Sequence, residues 1–200
     1  MNHKQEITSI DDLQFMWKSC KHHWEGTWAD YQNLFEGRTC LDIGMWKGLL
    51  NAMAQKHINC ETKIGVEPSI IHRTDCKKFN PHTKLYPSIE ELPDNIYTDI
   101  ILLHGVIWLM GTDWTQEMKT LLSKVSCKHV HIRNPNHDRS YAEKIDKTVD
   151  NRFFNNHNME YYKGPTINDI VEFFDTENYK LIDRKDFKSN NTVLVFEKQS

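Results

Sequence analysis

The sequence has no block of like charges, and its formal net charge is only −3 over 200 residues. A chain without a basic patch offers no electrostatic footprint to DNA or to an anionic membrane surface. This charge balance argues against tight, non-specific DNA binding. It leaves a small-molecule, nucleoside or single-stranded nucleic-acid substrate open.

Long apolar runs are also missing, since none approaches the roughly 20 residues that a helix needs to cross a bilayer. The stretch 1–10 is polar and has no signal-peptide core. We therefore expect no membrane association and a cytoplasmic location. The sequence contains neither internal repeats nor low-complexity segments, and its length suits one domain with a small appendage.

Closely spaced cysteine pairs are absent as well. The five cysteines are an odd number and include no C-x-x-C spacing; they are Cys20, Cys40, Cys60, Cys76 and Cys127. In a cytoplasmic protein such a set is typical of reduced, mostly structural thiols.

Histidine, by contrast, is abundant, with eleven residues. His129 and His131 alternate along a predicted strand and share a face, and His137 follows in the loop. No carboxylate or cysteine stands beside them at a familiar ligand spacing. Ordinary core or surface histidines are the preferred interpretation, and no metal site is predicted.

Hydrophobic periodicity predicts alternating strands and helices. Strands are predicted at 38–43, 62–66, 84–86, 99–103, 128–133, 179–187 and 192–197, and helices at 10–17, 24–35, 49–57, 70–78, 114–125 and 166–177. Ser69, Asp113 and Thr166 are the expected N-caps, with Asp169 completing a capping box. Short loops in such an alternation indicate parallel strands with right-handed crossovers, and 188–191 suits a hairpin turn. The predicted fold class is α/β, a Rossmann-like, doubly wound, mostly parallel sheet that ends in an antiparallel β-hairpin.

Two regions lie outside this alternation. Residues 1–37 carry aromatic residues at helical spacing, and we expect an N-terminal helical extension that packs on the flank of the sheet or acts as a lid. Residues 134–165 follow the fifth predicted strand and include a possible helix at 142–153. A loop region this long is usually functional or disordered. We expect a substrate-recognition insertion within a domain at 38–200, with a plain surface insertion as the alternative.

The chemistry is concentrated just after the first predicted strand, in Asp42-Ile-Gly-Met-Trp-Lys-Gly48. Gly44 lets the backbone turn, and Gly48 lets the start of the next helix pack close to the strand. The amides of that helix start favour a carboxylate. Asp42 can accept a hydrogen bond from an ammonium group, so a ligand that carries both groups suits this turn.

A second carboxylate, Glu67, ends the second predicted strand and is followed by Pro68, which cannot continue a strand ladder. An acidic residue at this place can accept the two hydroxyl protons of a ribose. The glycine turn, this carboxylate and the terminal hairpin together favour an adenosyl ligand.

These two segments, 41–48 and 65–69, resemble the first two motifs of class I S-adenosylmethionine-dependent methyltransferases. The resemblance implies a seven-stranded sheet with strand order 3-2-1-4-5-7-6 and S-adenosylmethionine as cofactor. It implies that Asp42, Gly44 and Gly48 hold the methionine moiety and that Glu67 holds the ribose. The cofactor set that the resemblance implies also includes Met45, Trp46, Pro68, Ser88, Ile89 and His104, of which Ser88 and Ile89 would flank the adenine.

Three segments depart from the family's pattern. Trp46 stands where the family often has glycine, and the adenine segment 86–89 lacks the common acidic residue. The segment 103–108 is not the Asp/Asn-Pro-Pro-aromatic motif of base N-methyltransferases, and no Pro-Cys pair for cytosine C5 chemistry is present. We expect methyl transfer to a small-molecule or nucleoside acceptor. A catalytically inactive, S-adenosylmethionine-binding regulatory protein is the alternative, and the terminal hairpin opposes a nicotinamide enzyme.

The resemblance places His104, with Gly105 and Val106, where the family's fourth motif lines the methyl-transfer site. Methyl transfer mainly requires an acceptor aligned with the sulfonium, and a hydroxyl acceptor benefits from a base such as histidine. His104 is therefore the candidate catalytic residue, with a merely pocket-shaping histidine as the alternative. His131 and Asn134 are second choices.

Overall fold

The computed structural model describes residues 24–135, 164–187 and 191–199. Several features that the sequence analysis named lie outside the described residues. They are the predicted helix at 10–17, Cys20, His137, the possible helix at 142–153 and the tip of the hairpin turn. Most of the expected substrate-recognition insertion lies outside them too.

Seven strands form one sheet in the order β3-β2-β1-β4-β5-β7-β6. The β1/β2, β2/β3 and β4/β5 pairs are parallel, whereas β7 is antiparallel to both β5 and β6. The expected α/β fold, its strand order and its terminal hairpin are confirmed. The strands are β1 Thr39–Ile43, β2 Glu61–Val66, β3 Lys84–Tyr86, β4 Ile96–His104, β5 Val125–Pro135, β6 Tyr179–Phe187 and β7 Asn191–Lys198.

Three helices begin directly after the N-caps that the sequence predicts. Ser69 accepts a hydrogen bond from the His72 amide at 3.3 Å, and Thr166 forms the expected capping box with Asp169. Asp113 precedes its helix as predicted, but its side chain makes no cap hydrogen bond. The α-helices are α1 Gln32–Phe35, α2 Leu49–Ile58, α3 Ile70–Phe79, α4 Trp114–Lys124 and α5 Ile167–Thr176; a 3₁₀ segment spans Ile107–Asp113.

Two predicted elements are wrong in part. The single helix expected at 24–35 is a π-helical segment at Trp24–Ala29 followed by the short α1, in a stretch where Gly26 and Thr27 are weak helix formers. Val125, assigned to a helix, instead has extended backbone and opens β5 opposite Ile96. A buried valine satisfies both the helical and the strand period, and its branched side chain favours the strand.

Two compact units divide the chain, one ending at Glu91 and the other beginning at Leu92. In the first unit the stretch 24–35, called here the aromatic segment, packs against α2. Trp28 and Phe35 are buried with ring centroids 4.7 Å apart, and Trp24 packs beside Leu49 and Met53 of α2. The described part of the N-terminal extension therefore contributes to a core. The division of the chain at 37/38 stays a prediction.

In the second unit an aromatic cluster fixes α5 to the sheet. Phe174 of α5 stacks on Phe196 of β7 at 4.7 Å and meets Tyr179 of β6 edge-on at 5.9 Å. Phe173 contacts Trp114 of α4 at 5.1 Å. Aromatic pairs of this kind stabilise a core beyond the area that they bury.

Within the described residues no helix is both long and apolar enough to span a membrane. The four described cysteines, Cys40, Cys60, Cys76 and Cys127, are all buried thiols. Burial raises the pKa of Cys76 and of Cys127 to about 11, so both thiols are protonated at neutral pH.

The packing of the aromatic segment predicts the stability of a variant. Trp28→Ala should lower the free energy of unfolding by about 3–5 kcal/mol, because it removes a large, fully buried side chain. Tyr97→Ala, an aromatic truncation at a side chain that is 68% exposed, should cost less than about 1 kcal/mol. Urea unfolding of both variants measures this, and equal losses would contradict the packing described here.

Candidate functional site

The turn after β1 requires glycine at Gly48. This residue has φ +67°, and a Cβ there would lie 2.5 Å from Asn80 Nδ2 and 2.6 Å from Cys76 Sγ. The Asn80 side chain also donates to the Gly48 carbonyl at 2.8 Å. Gly48 therefore lets the start of α2 approach the carboxyl end of α3, rather than the strand as the sequence had indicated.

Most backbone amides of this turn are hydrogen-bonded within the chain. Gly44 N and Met45 N both donate to the Val66 carbonyl, at 2.8 and 3.1 Å, and Gly48 N donates to the Met45 carbonyl at 2.9 Å. Trp46 N donates to Glu67 Oε2 at 2.9 Å. A carboxylate bound at this place would therefore meet the first-turn amides of α2, which have no intrahelical acceptor.

Glu67 lies at the end of β2, directly across from this turn, and is buried. Besides Trp46 N, its carboxylate accepts from Ser69 N at 2.9 Å and lies 3.3 Å from His72 Nδ1, both through Oε1. Arg73 Nη1 holds the backbone of the same corner by donating to the Glu67 and Pro68 carbonyls, at 2.6 and 2.7 Å. Two of the carboxylate's three described contacts are on Oε1, so Oε2 is the oxygen with more acceptor capacity left.

Asp42, at the end of β1, is buried and hydrogen-bonded to a residue that the sequence reasoning missed. Asn51 Nδ2 donates to Asp42 Oδ2 at 2.7 Å and also lies 3.0 Å from Thr62 Oγ1. Burial raises the pKa of Asp42 to about 7; the hydrogen bond from Asn51 opposes this rise, and the Glu67 carboxylate adds to it. The only sequence signal for Asn51 is a polar residue within an otherwise apolar first turn of α2.

Trp46, the main departure from the family's pattern, has φ +50° and a side chain that is 40% exposed. Its ring meets His72 edge-on at 6.0 Å, and Lys47 Nζ lies 5.7 Å from the ring centroid. The indole therefore stands outward beside α3, and its backbone rather than its ring contacts Glu67.

The remaining predicted cofactor residues of the first unit fall into two groups. Met45 and Ile89 are buried, and Met45 lies so close to Gly65 that a Cβ on that glycine would be 2.4 Å from its sulfur. Pro68 is exposed and Ser88 is half-buried. Side-chain contact with a ligand is therefore open to Pro68 and Ser88, whereas the side chains of Met45 and Ile89 support the turn and the core.

In the second unit the structure brings together two of the three residues proposed for catalysis. His104 Nε2 at the end of β4 lies 2.9 Å from His131 Nδ1 on β5, and the rings meet edge-on at 5.0 Å. Burial lowers the pKa of His131 to about 3, and the guanidinium of Arg133 contributes to this decrease. His131 is therefore neutral at physiological pH. Two neighbouring strands that both carry histidine near their carboxyl ends were the only sequence signal for this pair.

Asn134 does not join this pair. Side chains alternate along a strand, so Asn134 lies on the face of β5 opposite to that of His131. It is fully buried, and its Nδ2 donates to the Pro135 carbonyl at 3.1 Å. Gly164 is the first described residue after Pro135, and a Cβ on it would lie 3.0 Å from Trp108 Cα. The end of the 134–165 segment thus returns to the 3₁₀ segment that follows His104.

Among residues 24–135, 164–187 and 191–199, no three His, Cys, Asp or Glu side chains are grouped as a metal site requires. His129 lies on the same face as His131, and its Nε2 is 3.4 Å from Glu197 Oε1.

No protein-family model and no curated protein sequence matches the chain, whereas solved structures do. An O-methyltransferase family protein from Burkholderia thailandensis is 10% identical with a TM-score of 0.66; the match covers 96% of this chain but 58% of that protein. The plantazolicin methyltransferase BpumL, solved in complex with SAH, is 14% identical with a TM-score of 0.63, over 94% of this chain and 91% of that one.

A further match is a possible histamine N-methyltransferase from Thermotoga maritima, with 11% identity and a TM-score of 0.64 over 95% of this chain and 96% of that one. At such low identities the likeness shows the fold. This chain has the fold of the class I S-adenosylmethionine-dependent methyltransferases, as the sequence motifs indicated. The roles of individual site residues stay predictions.

The burial of Asp42 predicts how stability depends on pH. Because its pKa is raised from 3.8 to about 7, the folded state binds this proton more tightly than the unfolded state does. The stability that this group contributes is complete below pH 3.8 and is lost as the pH rises towards 7. Asp42→Asn removes this dependence. The free energy of unfolding of the variant minus that of wild type should therefore increase by about 3 kcal/mol from pH 5 to pH 8.5.

Urea unfolding at several pH values measures this difference. Glu61→Gln is the matched control for the loss of one negative charge, because Glu61 is an exposed carboxylate at the other end of β2. A difference between Asp42→Asn and wild type that does not change with pH would show that Asp42 is ionised as an ordinary aspartate.

Proposed function

We propose that this protein transfers a methyl group from S-adenosylmethionine to a small-molecule or nucleoside acceptor. The observation that carries the proposal is the pair of buried carboxylates at the carboxyl ends of β1 and β2. Asp42 is opposite Gly65 and Ile43 is opposite Val66 in the parallel ladder, so Asp42 and Glu67 flank one edge of the sheet. In doubly wound sheets, ligands bind beyond this edge.

The surroundings of Asp42 suit the ammonium group of an amino acid. Asp42 is a desolvated carboxylate, and across the described part of the chain no Lys, Arg or His lies within ion-pair distance of it. The ammonium of a bound methionine moiety would supply the missing positive charge and would favour the ionised form of Asp42. The first-turn amides of α2 would receive the carboxylate of the same moiety.

The ribose is assigned to Glu67 through Oε2. This oxygen accepts from the Trp46 amide and has a further lone pair, so a ribose hydroxyl can donate to it while that bond is kept. Pro68 and Ser88 are the side chains positioned to contact the adenosine. When bound, the cofactor supplies the electrophilic methyl group, and the protein's task is to align the acceptor.

His104 is proposed as the base that takes a proton from the acceptor. Its ring is half-buried at the end of β4, where a nitrogen can exchange protons with a ligand or with water. A histidine base typically contributes a factor of about 10²–10⁴ to the rate. The proposed acceptor class follows from the balanced charge of the chain, which argues against tight, non-specific DNA binding. The 134–165 segment is proposed to select the acceptor.

The matched structures support this proposal at the level of fold. BpumL was solved with SAH, the form that the cofactor takes after methyl transfer, and the Thermotoga maritima protein is a possible histamine N-methyltransferase. Both are likenesses at low identity. The proposed acceptor class therefore needs a direct test.

Isothermal titration with S-adenosylmethionine, S-adenosylhomocysteine and NAD tests the cofactor. We expect both adenosyl ligands to bind and NAD not to bind. Asp42→Ala and Glu67→Ala should each weaken binding about tenfold to a hundredfold, the effect of removing a hydrogen bond to a charged group. Glu61→Ala, at the exposed opposite end of β2, should leave affinity unchanged. The assignment is wrong if the two site variants bind as tightly as wild type.

Incubation of the protein and methyl-labelled S-adenosylmethionine with fractionated cell lysate then tests turnover. Label in a small-molecule or nucleoside fraction, dependent on intact His104, is the expected result. Label confined to protein or DNA would contradict the proposed acceptor class. Cofactor binding without transfer to any fraction would instead identify the inactive, regulatory alternative.

A further inference from the structure

The buried carboxylate of Glu67 already has partners at most of its acceptor positions. Oε1 accepts from the Ser69 amide at 2.9 Å and lies 3.3 Å from Nδ1 of His72. Oε2 accepts from the Trp46 amide at 2.9 Å. An ionised carboxylate offers about four acceptor positions, two on each oxygen. Within the described part of the chain, one position on Oε2 is therefore left for a ligand.

In the contact between these two side chains, His72 is the donor. An ionised carboxylate only accepts hydrogen bonds, so the proton between Glu67 and His72 belongs to Nδ1 of the imidazole. A neutral ring that carries its proton on Nδ1 satisfies this, and so does a cationic ring, which donates from both nitrogens. The contact therefore does not depend on whether His72 is charged.

Two neighbours hold the His72 ring in place against Glu67. The backbone amide of His72 donates to Ser69 Oγ at 3.3 Å, which fixes the first turn of α3. The indole of Trp46 meets the imidazole edge-on, with ring centroids 6.0 Å apart. The His72 side chain is 33% exposed and that of Glu67 is 9% exposed. A ligand that approaches this carboxylate can therefore reach the imidazole as well.

We infer that His72 is a specificity-determining residue: it fills the second acceptor position of Glu67 Oε1, so that Glu67 binds one ribose hydroxyl instead of two. The inference rests on the proposed function, in which Glu67 binds the ribose of S-adenosylmethionine. It departs from the sequence-based expectation that this carboxylate accepts both hydroxyl protons. One hydroxyl donates to Oε2 beside the Trp46 amide, and the other has no acceptor on this carboxylate. The site therefore tolerates a cofactor that lacks the second hydroxyl.

Nuclear magnetic resonance tests the direction of the hydrogen bond without any ligand. In the ¹⁵N-labelled protein, at a pH where the His72 ring carries a single proton, that proton should be on Nδ1. The signals are assigned by their loss in His72→Asn. A proton on Nε2 with an unprotonated Nδ1 would overturn the inference, because an ionised carboxylate cannot supply the missing donor.

Isothermal titration of the wild-type protein with S-adenosylhomocysteine and its 2′-deoxy and 3′-deoxy analogues tests how many hydroxyls Glu67 recognises. Removal of the hydroxyl that donates to Oε2 should weaken binding about tenfold to a hundredfold, and removal of the other should change affinity by less than about threefold. Losses of similar size for both analogues would overturn the inference and leave the proposed function standing. If S-adenosylhomocysteine itself does not bind, the proposed function fails and the inference fails with it.

Substitutions at His72 assign this selectivity to one residue. His72→Ala vacates the second position on Oε1, so the second hydroxyl can donate there, and its removal should now weaken binding about threefold to tenfold. His72→Asn offers an amide donor near the place of Nδ1 and should keep the wild-type pattern.

His82→Ala is the matched control, because His82 is an exposed histidine beyond the end of α3, and it should bind all three ligands as wild type does. If His72→Ala shows the same pattern as wild type, His72 does not determine the selectivity and the inference is wrong. Urea unfolding identifies a variant that fails to fold; the titrations and the resonance measurement on the wild-type protein then decide.

Discussion

The hydrogen bonds between the turn after β1 and the end of β2 are the constraint on which the candidate site depends. The Val66 carbonyl accepts from two successive amides of the turn, and Glu67 accepts from a third, that of Trp46. These bonds bring the end of β1, which carries Asp42, beside the end of β2. Two carboxylates are thereby buried near each other, and their mutual repulsion is one reason for the raised pKa of Asp42.

The two buried carboxylates lower the stability of the protein without a ligand, and they favour the binding of a cation. Burying a carboxylate without a positive partner costs free energy, and Asn51 offsets that cost only in part. A ligand with an ammonium group would remove much of the penalty. A buried carboxylate with a raised pKa is a candidate for function for this reason, and Asp42 lies within a motif that the sequence displays.

The fold was largely predictable from the sequence because its signals are local. Alternating apolar patterns, the capping box at Thr166 and the final hairpin each depend on a few neighbouring residues. The resemblance to a known family then implied the strand order. Errors arose at Val125, whose branched side chain favours the strand that pairs with β4, and at the aromatic segment around Trp28, where Gly26 and Thr27 are weak helix formers.

For the candidate site, the sequence predicted where the residues lie in the fold but not which groups they contact. Asp42 and Glu67 lie at the strand ends, as expected, but their hydrogen-bond partners come from residues distant in sequence. Asn51 carries no motif, and the pairing of His104 with His131 depends on the register of two parallel strands. Spacing along a chain does not report such a register. The functional detail of the site therefore required three-dimensional structure.

A crystal structure with S-adenosylhomocysteine would test the central claim most directly. We expect the amino group beside Asp42, the carboxylate at the first turn of α2, and a ribose hydroxyl on Glu67 Oε2 beside the Trp46 amide. An adenosyl group bound elsewhere, or a Glu67 carboxylate that makes no hydrogen bond to the ribose, would contradict the account.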